Sequence, residues 1–106
     1  MAKLLLHERI IFSADEKTFV EFRVFEVSFS KEFPDCVKYS FVFVQHGKCV
    51  LRYDNEHRKG HHRHFGSDET KIDFISIEDL LKNFFIKIER IRAKEGVFNE
   101  SERGSD

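Results

Sequence analysis

The chain has 106 residues, of which 41% are hydrophobic and 35% charged, with 13 phenylalanines and a formal net charge of −1 at pH 7. This length and composition predict one globular domain with a single core, and they exclude a disordered chain. No apolar run approaches the ~20 residues of a membrane-spanning helix, and the N-terminus shows no signal-peptide pattern. Cys36 and Cys49 lack C-x-x-C spacing, which predicts free thiols in a reducing cytoplasm, with a disulfide as the alternative.

Two strands are predicted in the first third of the chain. Residues 3–12 carry apolar triplets on both sides of His7-Glu8-Arg9 and lead into a polar turn. Residues 18–30 alternate apolar and polar side chains, but the apolar set changes phase: first Val20, Phe22 and Val24, then Phe25, Val27 and Phe29. Since successive side chains point to opposite faces, this change predicts a β-bulge near residues 24–25.

Residues 37–55 are predicted to form a hairpin around His46-Gly47, which suits a two-residue turn with positive φ. Such a turn opposes Gln45 to Lys48. The register that follows opposes Phe43 to Val50, Phe41 to Arg52 and Tyr39 to Asp54. We therefore expect Arg52 and Asp54 to lie on the same sheet face as Tyr39 and Phe41.

A short strand over residues 70–75 and a helix over residues 77–94 complete the predicted elements. Ser76 is a good N-cap, and Glu78 and Asp79 suit the positive end of the helix dipole. Apolar residues recur at three- and four-residue steps, which is typical of a helix face that packs on a core. Gly96 is predicted to end the helix.

These elements predict an α+β domain over residues 1–96, with residues 97–106 as a frayed tail. Its antiparallel sheet of about five strands, largely a meander, is expected to pack against the one C-terminal helix. Both faces of the hairpin are partly apolar, because Val42, Val44, Cys49 and Leu51 would lie opposite the Phe41 face. One helix cannot cover two faces, so the second face predicts either a folded-back strand or a homodimer.

Residues 52–66 form a polar, ionisable segment inside this small domain. Nothing apolar lies between Tyr53 and Phe65, and the segment holds four of the six histidines, namely His57, His61, His62 and His64. It also holds four basic residues against two acidic ones, a mild local preference for an anionic partner. Long polar loops in compact domains are often functional, so we expect the strands to present this one.

The His62-x-His64 pair allows three interpretations. In the first, the two imidazoles act as general acid and base in RNA cleavage, while basic neighbours bind phosphate. In the second, both ligate a divalent metal whose site Asp54 or His57 completes. In the third, the loop is a non-enzymatic surface that binds a partner protein. We favour the first interpretation, with no metal and no other cofactor.

The site residues divide by role in this first interpretation. The predicted catalytic residues are His62, His64, Asp54 and Arg63, and the predicted substrate-binding residues are Arg52, Tyr53, Asn55 and Lys59. Asp54 would orient one imidazole. We expect a common cleft at one end of the sheet to be faced by Tyr53, Asp54, His62, Arg63 and His64. In an extended backbone, however, Arg63 would point away from the histidines, which would leave Lys59 and Arg52 to contact phosphate.

Several runs of this sequence resemble one known family. Tyr53-Asp54-Asn55-Glu56, Lys59-Gly60 and His62-Arg63-His64 look like the signature of the TumE family of toxin–antitoxin toxins. Further similar runs are Leu4-Leu5-Leu6-His7-Glu8, Tyr39-Ser40-Phe41 and Ser76-Ile77-Glu78-Asp79-Leu80-Leu81. The resemblance extends over residues 3 to about 90. His61 departs from the pattern, since family members can carry an acidic residue there. This departure weakens the metal interpretation and makes His61 a poor catalytic candidate.

The resemblance implies a cytoplasmic prokaryotic toxin whose protein partner is a cognate helix-turn-helix antitoxin. It does not imply the reaction, so RNA cleavage is an inference from the residues themselves. The sequence thus predicts a toxin that acts on RNA, as a ribonuclease, through residues 52–66. The alternatives are a non-enzymatic protein-interaction module and a small divalent-metal-binding protein, both using the same loop.

Overall fold

The computed structural model of the chain describes residues 2–56 and 60–102, with side chains described up to residue 94. The chain divides into two compact units, Met1–Asp73 and Phe74–Asp106. The first unit holds a six-stranded antiparallel sheet in meander order, and the second holds one helix. The α+β prediction is therefore confirmed, with six strands where about five were expected.

Each strand of the sheet pairs with the next one along the chain. The strands are β1 (Lys3–Ile11), β2 (Phe19–Glu26), β3 (Val37–Gln45), β4 (Lys48–Asp54), β5 (His62–Phe65) and β6 (Asp68–Lys71). The additional strand is β5, which lies inside the segment predicted as a loop. β6 begins and ends earlier than the strand predicted over residues 70–75, because a turn at Gly66 and Ser67 starts it directly after β5.

The irregularity predicted for β2 lies on its neighbour β1. β2 pairs with β3 in unbroken register. On its other side, Leu4 opposes Phe25 and Leu6 opposes Val24, so Leu5 is the extra residue. The prediction of a bulge in β2 near residues 24–25 is wrong: the extra residue lies on β1, opposite those positions, and Val27 and Phe29 belong to the loop that follows β2.

A bulge in β4 sets the register of the central hairpin. His46 and Gly47 have φ of 53° and 81°, and Gln45 opposes Lys48, as predicted. Beyond the turn the predicted pairs are wrong by one residue, because Val50 is extra. The observed pairs are Phe43 with Leu51, Val42 with Arg52, Phe41 with Tyr53 and Ser40 with Asp54.

One face of the sheet is consequently apolar and buried. The opposite face carries Glu21, Arg23, Arg52 and Asp54 beside Val42 and Val44, as predicted for the two valines, and we call it the polar face. The apolar face holds buried side chains from β2, β3 and β4, namely Val20, Phe22, Val24, Tyr39, Phe41, Phe43, Leu51 and Tyr53. Burying a side chain of this size stabilises a fold by about 1.5–3 kcal/mol, which favours the register that buries Leu51. Leu51 therefore lies on the same face as Phe41, and the prediction that it lies on the opposite face is wrong. Arg52 and Asp54 are displaced to the polar face, and the expectation that they share a face with Tyr39 is also wrong.

Helix α1 spans Ile77–Glu102. Its start is as predicted, since Ser76 Oγ accepts a hydrogen bond from the Asp79 backbone N at 3.0 Å. The side chains of Leu80, Phe84 and Ile88 are buried at four-residue spacing, which confirms the periodicity.

The predicted end of the helix at Gly96 is wrong, because the backbone stays helical to residue 102. A glycine inside a helix costs only about 1 kcal/mol relative to alanine, and no proline follows it to interrupt the hydrogen bonds. Among the residues that the structure describes, no helix combines the length and apolar composition that a bilayer span requires. Cys36 and Cys49 are free thiols, as predicted.

Candidate active site

Four side chains of the segment 52–66 lie together on the polar face of β4 and β5. Asp54 opposes His62, and Arg52 opposes His64 across the two strands. Because alternate residues of a strand share a face, these four project on the side opposite the buried Tyr53. β5 forms here because it pairs with backbone groups of β4 that would otherwise lie at an open sheet edge.

His62 is fixed through both ring nitrogens, and its side chain is 3% exposed. Nδ1 donates a hydrogen bond to the Gly60 carbonyl oxygen at 2.8 Å. Nε2 lies 2.8 Å from Asp54 Oδ1. Gly60 has a φ of 71°, a backbone conformation that glycine adopts more readily than other residues.

Asp54 connects His62 to Arg52. The Asp54 side chain is 8% exposed, and its Oδ2 forms an ion pair with Arg52 Nε at 3.2 Å. The Glu56 backbone N donates to Asp54 Oδ1 at 3.4 Å. A carboxylate this buried needs such partners in place of water. The Arg52 side chain is 45% exposed, so its guanidinium is anchored at Nε while part of it faces solvent.

His64 and Glu69 complete the cluster. The His64 ring lies edge-on to the His62 ring, with centroids 4.9 Å apart. Glu69 opposes His64 across β5 and β6. Its Oε2 lies 3.7 Å from His64 Nε2 and 3.8 Å from His62 Nε2. His64 Nε2 is buried and has no hydrogen-bond partner among the described residues.

Glu69 is the site residue that sequence analysis missed. The signal for it was the dipeptide Gly66-Ser67, which suits a two-residue hairpin turn. Such a turn opposes Phe65 to Asp68 and therefore His64 to Glu69, as the structure shows. Because residues 52–66 were predicted to be a loop, no cross-strand pairs could be derived for them, and the hairpin was missed.

The structure separates two predicted site residues from the others. Tyr53 opposes Arg63 across β4 and β5, and alternation places both on the face opposite His62 and His64. Tyr53 is 4% exposed and belongs to the core. The prediction that all five catalytic and neighbouring side chains face one cleft is therefore wrong for Tyr53 and Arg63. The backbone here is extended, so Arg63 points away from the histidines as that geometry requires.

Asn55 lies beside the site, where its side-chain amide pairs with the backbone of β3. Its Oδ1 accepts from the Tyr39 backbone N at 3.0 Å, and its Nδ2 donates to the Val37 carbonyl oxygen at 2.8 Å. With 3% exposure, the amide extends the sheet pairing beyond the end of β4. Lys59, the remaining predicted substrate-binding residue, and His57 lie outside the described residues.

His61 belongs to a separate cluster. Its Nε2 lies 2.8 Å from Asp35 Oδ2, and its Nδ1 lies 2.9 Å from the Tyr39 hydroxyl. Burial raises the pKa of the Tyr39 phenol, and the nearby carboxylates of Asp54 and Asp35 raise this pKa further. The phenol thus stays protonated and donates to Nδ1, while Nε2 donates to Asp35. One neutral imidazole satisfies both contacts, so His61 ties loop residue Asp35 to β3.

The surface has two cavities near the site, one lined by His61 and the other by His64. A cleft of about 590 Å³ is lined by His61, Asn55 and residues of the loop before β3. A smaller pocket of about 210 Å³ is lined by Arg52 and His64 on β4 and β5. The smaller pocket is the one that adjoins the predicted catalytic histidines.

The comparisons with known proteins point to one family. The family model described as Toxin TumE matches residues 1–92, which include all six strands and the first part of α1. No curated protein and no solved structure matches the chain. The match covers every residue of the polar cluster, and the chain belongs to the TumE family of toxins.

Proposed function

We propose that this chain is the toxin component of a toxin–antitoxin pair and that it cleaves RNA at the polar-face cluster of Arg52, Asp54, His62, His64 and Glu69. The observation that carries the proposal is the convergence of two imidazoles and two carboxylates beside a half-exposed guanidinium. Phosphodiester cleavage needs a cation that binds the phosphate and groups that transfer protons at the attacking and leaving oxygens.

Arg52 is the residue in this cluster suited to bind phosphate. Its guanidinium is oriented by Asp54 through Nε, and the other N–H groups of a guanidinium form a fork that matches two phosphate oxygens. The 210 Å³ pocket that Arg52 and His64 line offers the space for such a group. A phosphate bound there would lie next to the His64 imidazole.

His64 is the residue suited to transfer a proton. Its Nε2 has no hydrogen-bond partner among the described residues, whereas both nitrogens of His62 are engaged by Gly60 and Asp54. The geometry therefore favours unequal roles for the histidines: His64 and the neighbouring Glu69 carboxylate would exchange the protons at the attacking and leaving oxygens, while His62 is held as a fixed part of the site. The equal sharing of acid and base roles that the sequence suggested would require His62 to release one of its two partners.

A protein-interaction role is the second candidate function, and β1 favours it. Among the described residues, five of the exposed large hydrophobic side chains lie on this edge strand or directly after it: Leu4, Leu5, Ile10, Ile11 and Phe12. An exposed apolar edge strand is a surface on which another chain can add a strand. This surface suits antitoxin binding, which the toxin proposal also needs.

Inducible expression tests the proposal, with growth and total RNA followed for the wild type, His64→Ala, Glu69→Gln and Glu8→Gln. Glu8 is exposed on β1 and serves as the matched control for the loss of one carboxylate. We expect the wild type and Glu8→Gln to arrest growth and fragment RNA. His64→Ala and Glu69→Gln should lose both effects by about 100-fold or more, since proton transfer typically contributes that factor.

The two functions give different patterns in this experiment. Toxicity that persists while RNA and nucleotides stay unchanged would overturn the nuclease proposal. Toxicity that disappears only in variants that no longer bind the antitoxin would favour the interaction module. An enzyme predicts inactive variants that remain folded and still copurify with the antitoxin.

A further inference from the structure

We propose that His62 Nε2, His64 Nε2 and Glu69 Oε2 form a binding site for one divalent first-row transition-metal ion, such as Mn²⁺ or Zn²⁺. These three residues offer ligand atoms that all lie within 4.8 Å of one another. This departs from the metal-free site that the sequence suggested. Binding of the ion to these residues stands by itself, whereas its use in RNA cleavage rests on the proposed function.

The spacing of the ligand atoms fits an ion of this size. Glu69 Oε2 lies 3.7 Å from His64 Nε2 and 3.8 Å from His62 Nε2. Metal–ligand bonds of about 2.0–2.2 Å in a tetrahedral site place neighbouring ligand atoms roughly 3.4 Å apart. These two separations exceed that by a few tenths of an ångström, while the remaining one lies within 4.8 Å, so the His64 and Glu69 side chains would rotate inward to bind the ion.

The hydrogen bonds around His62 favour a metal ligand. A histidine that binds a metal through one nitrogen usually donates its other N–H to a carbonyl or carboxylate, which fixes the ring orientation. His62 Nδ1 donates to the Gly60 carbonyl in this way, so Nε2 carries the lone pair in the neutral ring. Asp54 Oδ1 lies 2.8 Å from Nε2 and can supply a fourth ligand atom.

His64 provides an independent observation. Its Nε2 is buried without a hydrogen-bond partner among the described residues, an arrangement that proteins rarely leave unsatisfied. Glu69 Oε2, an acceptor, lies 3.7 Å from it, too far for a hydrogen bond. A cation between the two atoms would satisfy His64 Nε2 and neutralise the Glu69 carboxylate at once. A ligand set of imidazoles and carboxylates suits Mn²⁺, Fe²⁺ or Zn²⁺. Ca²⁺ and Mg²⁺ prefer ligand sets made only of oxygen atoms.

The ion would change how the proposed function is carried out, because His64 Nε2 cannot bind the ion and exchange a proton at the same time. A bound divalent ion polarises a phosphoryl oxygen and stabilises charge that develops during phosphodiester cleavage. Arg52 and Asp54 would keep their own contact beside it, with Arg52 facing the substrate and Asp54 next to His62.

Calorimetric titration of the full chain tests the site. The protein is treated with EDTA, desalted and titrated with MnCl₂ and with ZnCl₂. We expect one ion per chain in the wild type and at least a tenfold weaker affinity in Glu69→Gln and His64→Ala. Glu8→Gln and His46→Asn should bind like the wild type, because neither Glu8 nor the turn residue His46 lies at the site. Glu69 is 39% exposed, so its variant is expected to fold even if His64→Ala does not.

Saturable one-to-one binding that both site variants weaken would support the inference. Absence of such binding, or equal binding by Glu69→Gln and the wild type, would overturn it. RNA cleavage in EDTA by a chain that binds no ion would overturn the metal site and leave the proposed function standing. Site-dependent ion binding with no cleavage of any RNA would support the site and overturn the proposed function.

Discussion

Asp54 is the side chain that joins the polar groups of the candidate site. His62 Nε2, Arg52 Nε and the Glu56 backbone N all contact its carboxylate. Because Asp54 is nearly buried, these partners replace water and hold the two basic side chains in fixed positions. A second polar cluster lies on the same face at the β1–β2 edge, where Glu21 Oε2 lies 2.7 Å from His7 Nε2 and 3.1 Å from Arg23.

The Glu21 cluster predicts a pH-dependent contribution to stability. The hydrogen bond with His7, more than that with Arg23, holds the pKa of Glu21 below its usual 4.5, against the opposing effect of burial. A carboxylate whose pKa is lowered by folding contributes stability above its unfolded pKa and loses it as the pH falls through its folded pKa. Glu21→Gln should therefore lower the free energy of unfolding near pH 7, and the difference from the wild type should vanish well below pH 4.5.

Urea denaturation of both chains across this pH range measures the effect. The cluster is partly exposed, with His7 at 42% and Glu21 at 20%, so solvent screening limits the loss to about 1 kcal/mol or less. Glu8→Gln on the exposed surface of β1 is the control and should show no such pH dependence. A difference between Glu21→Gln and the wild type that grows on acidification would contradict the assignment.

Among the secondary-structure elements, β4 has the largest influence on the site because of its bulge. The extra residue Val50 moves Leu51 and Tyr53 into the core and brings Arg52 and Asp54 to the polar face with His62. Without that extra residue, the turn would place Arg52 opposite Phe41, so Arg52, Asp54 and the histidines paired with them would face the core. One irregular position therefore decides on which face of the sheet the candidate site lies.

Two alanine variants distinguish the observed register, in which Val50 is the extra residue, from the register without a bulge that the turn predicted. Leu51 has no exposed surface, so Leu51→Ala should reduce the free energy of unfolding by about 2–5 kcal/mol. Val50 is half-buried and lies outside the ladder pairs, so Val50→Ala should cost roughly 1 kcal/mol or less. Denaturant unfolding of both variants gives the comparison, and a larger loss for Val50→Ala would support the unbulged register instead.

Across the whole molecule, the open sheet leaves two edges, and the edge at β1 is the apolar one. The homodimer suggested by the sequence stays a prediction. The surface that supports it is now the apolar edge strand β1 and no longer the second face of the central hairpin. Leu51 no longer contributes to the uncovered face, whereas Leu4 and Leu5 are each 53% exposed on the edge strand. Pairing of two β1 strands would cover these side chains and satisfy the edge backbone groups.

Sedimentation of the wild type and Leu5→Lys at micromolar concentration tests the dimer. We expect the wild type to sediment as a dimer and Leu5→Lys as a monomer, because a lysine on an edge strand discourages pairing with another chain. A wild-type monomer under these conditions would rule out the homodimer and leave the β1 edge free for the proposed contact with an antitoxin.

The sequence by itself determined the elements and the family, because those depend on local signals. Alternating and helical periodicities located four of the strands and the start of α1, and His46-Gly47 located the central turn. The signature around His62 indicated the TumE family, which the family model confirms over residues 1–92. Asp54 beside His62 was also foreseen, and the structure brings the two together.

Only the tertiary structure decided which side chains meet. Register in a sheet is set by which pairing buries more apolar surface, and a shift of one residue exchanges the two faces. Burying Leu51 in place of Val50 therefore placed Arg52, Asp54 and the histidines that pair with them on the face opposite the core. Glu69 joins the site through the pairing of β5 with β6, which exists only because residues 62–65 form a strand.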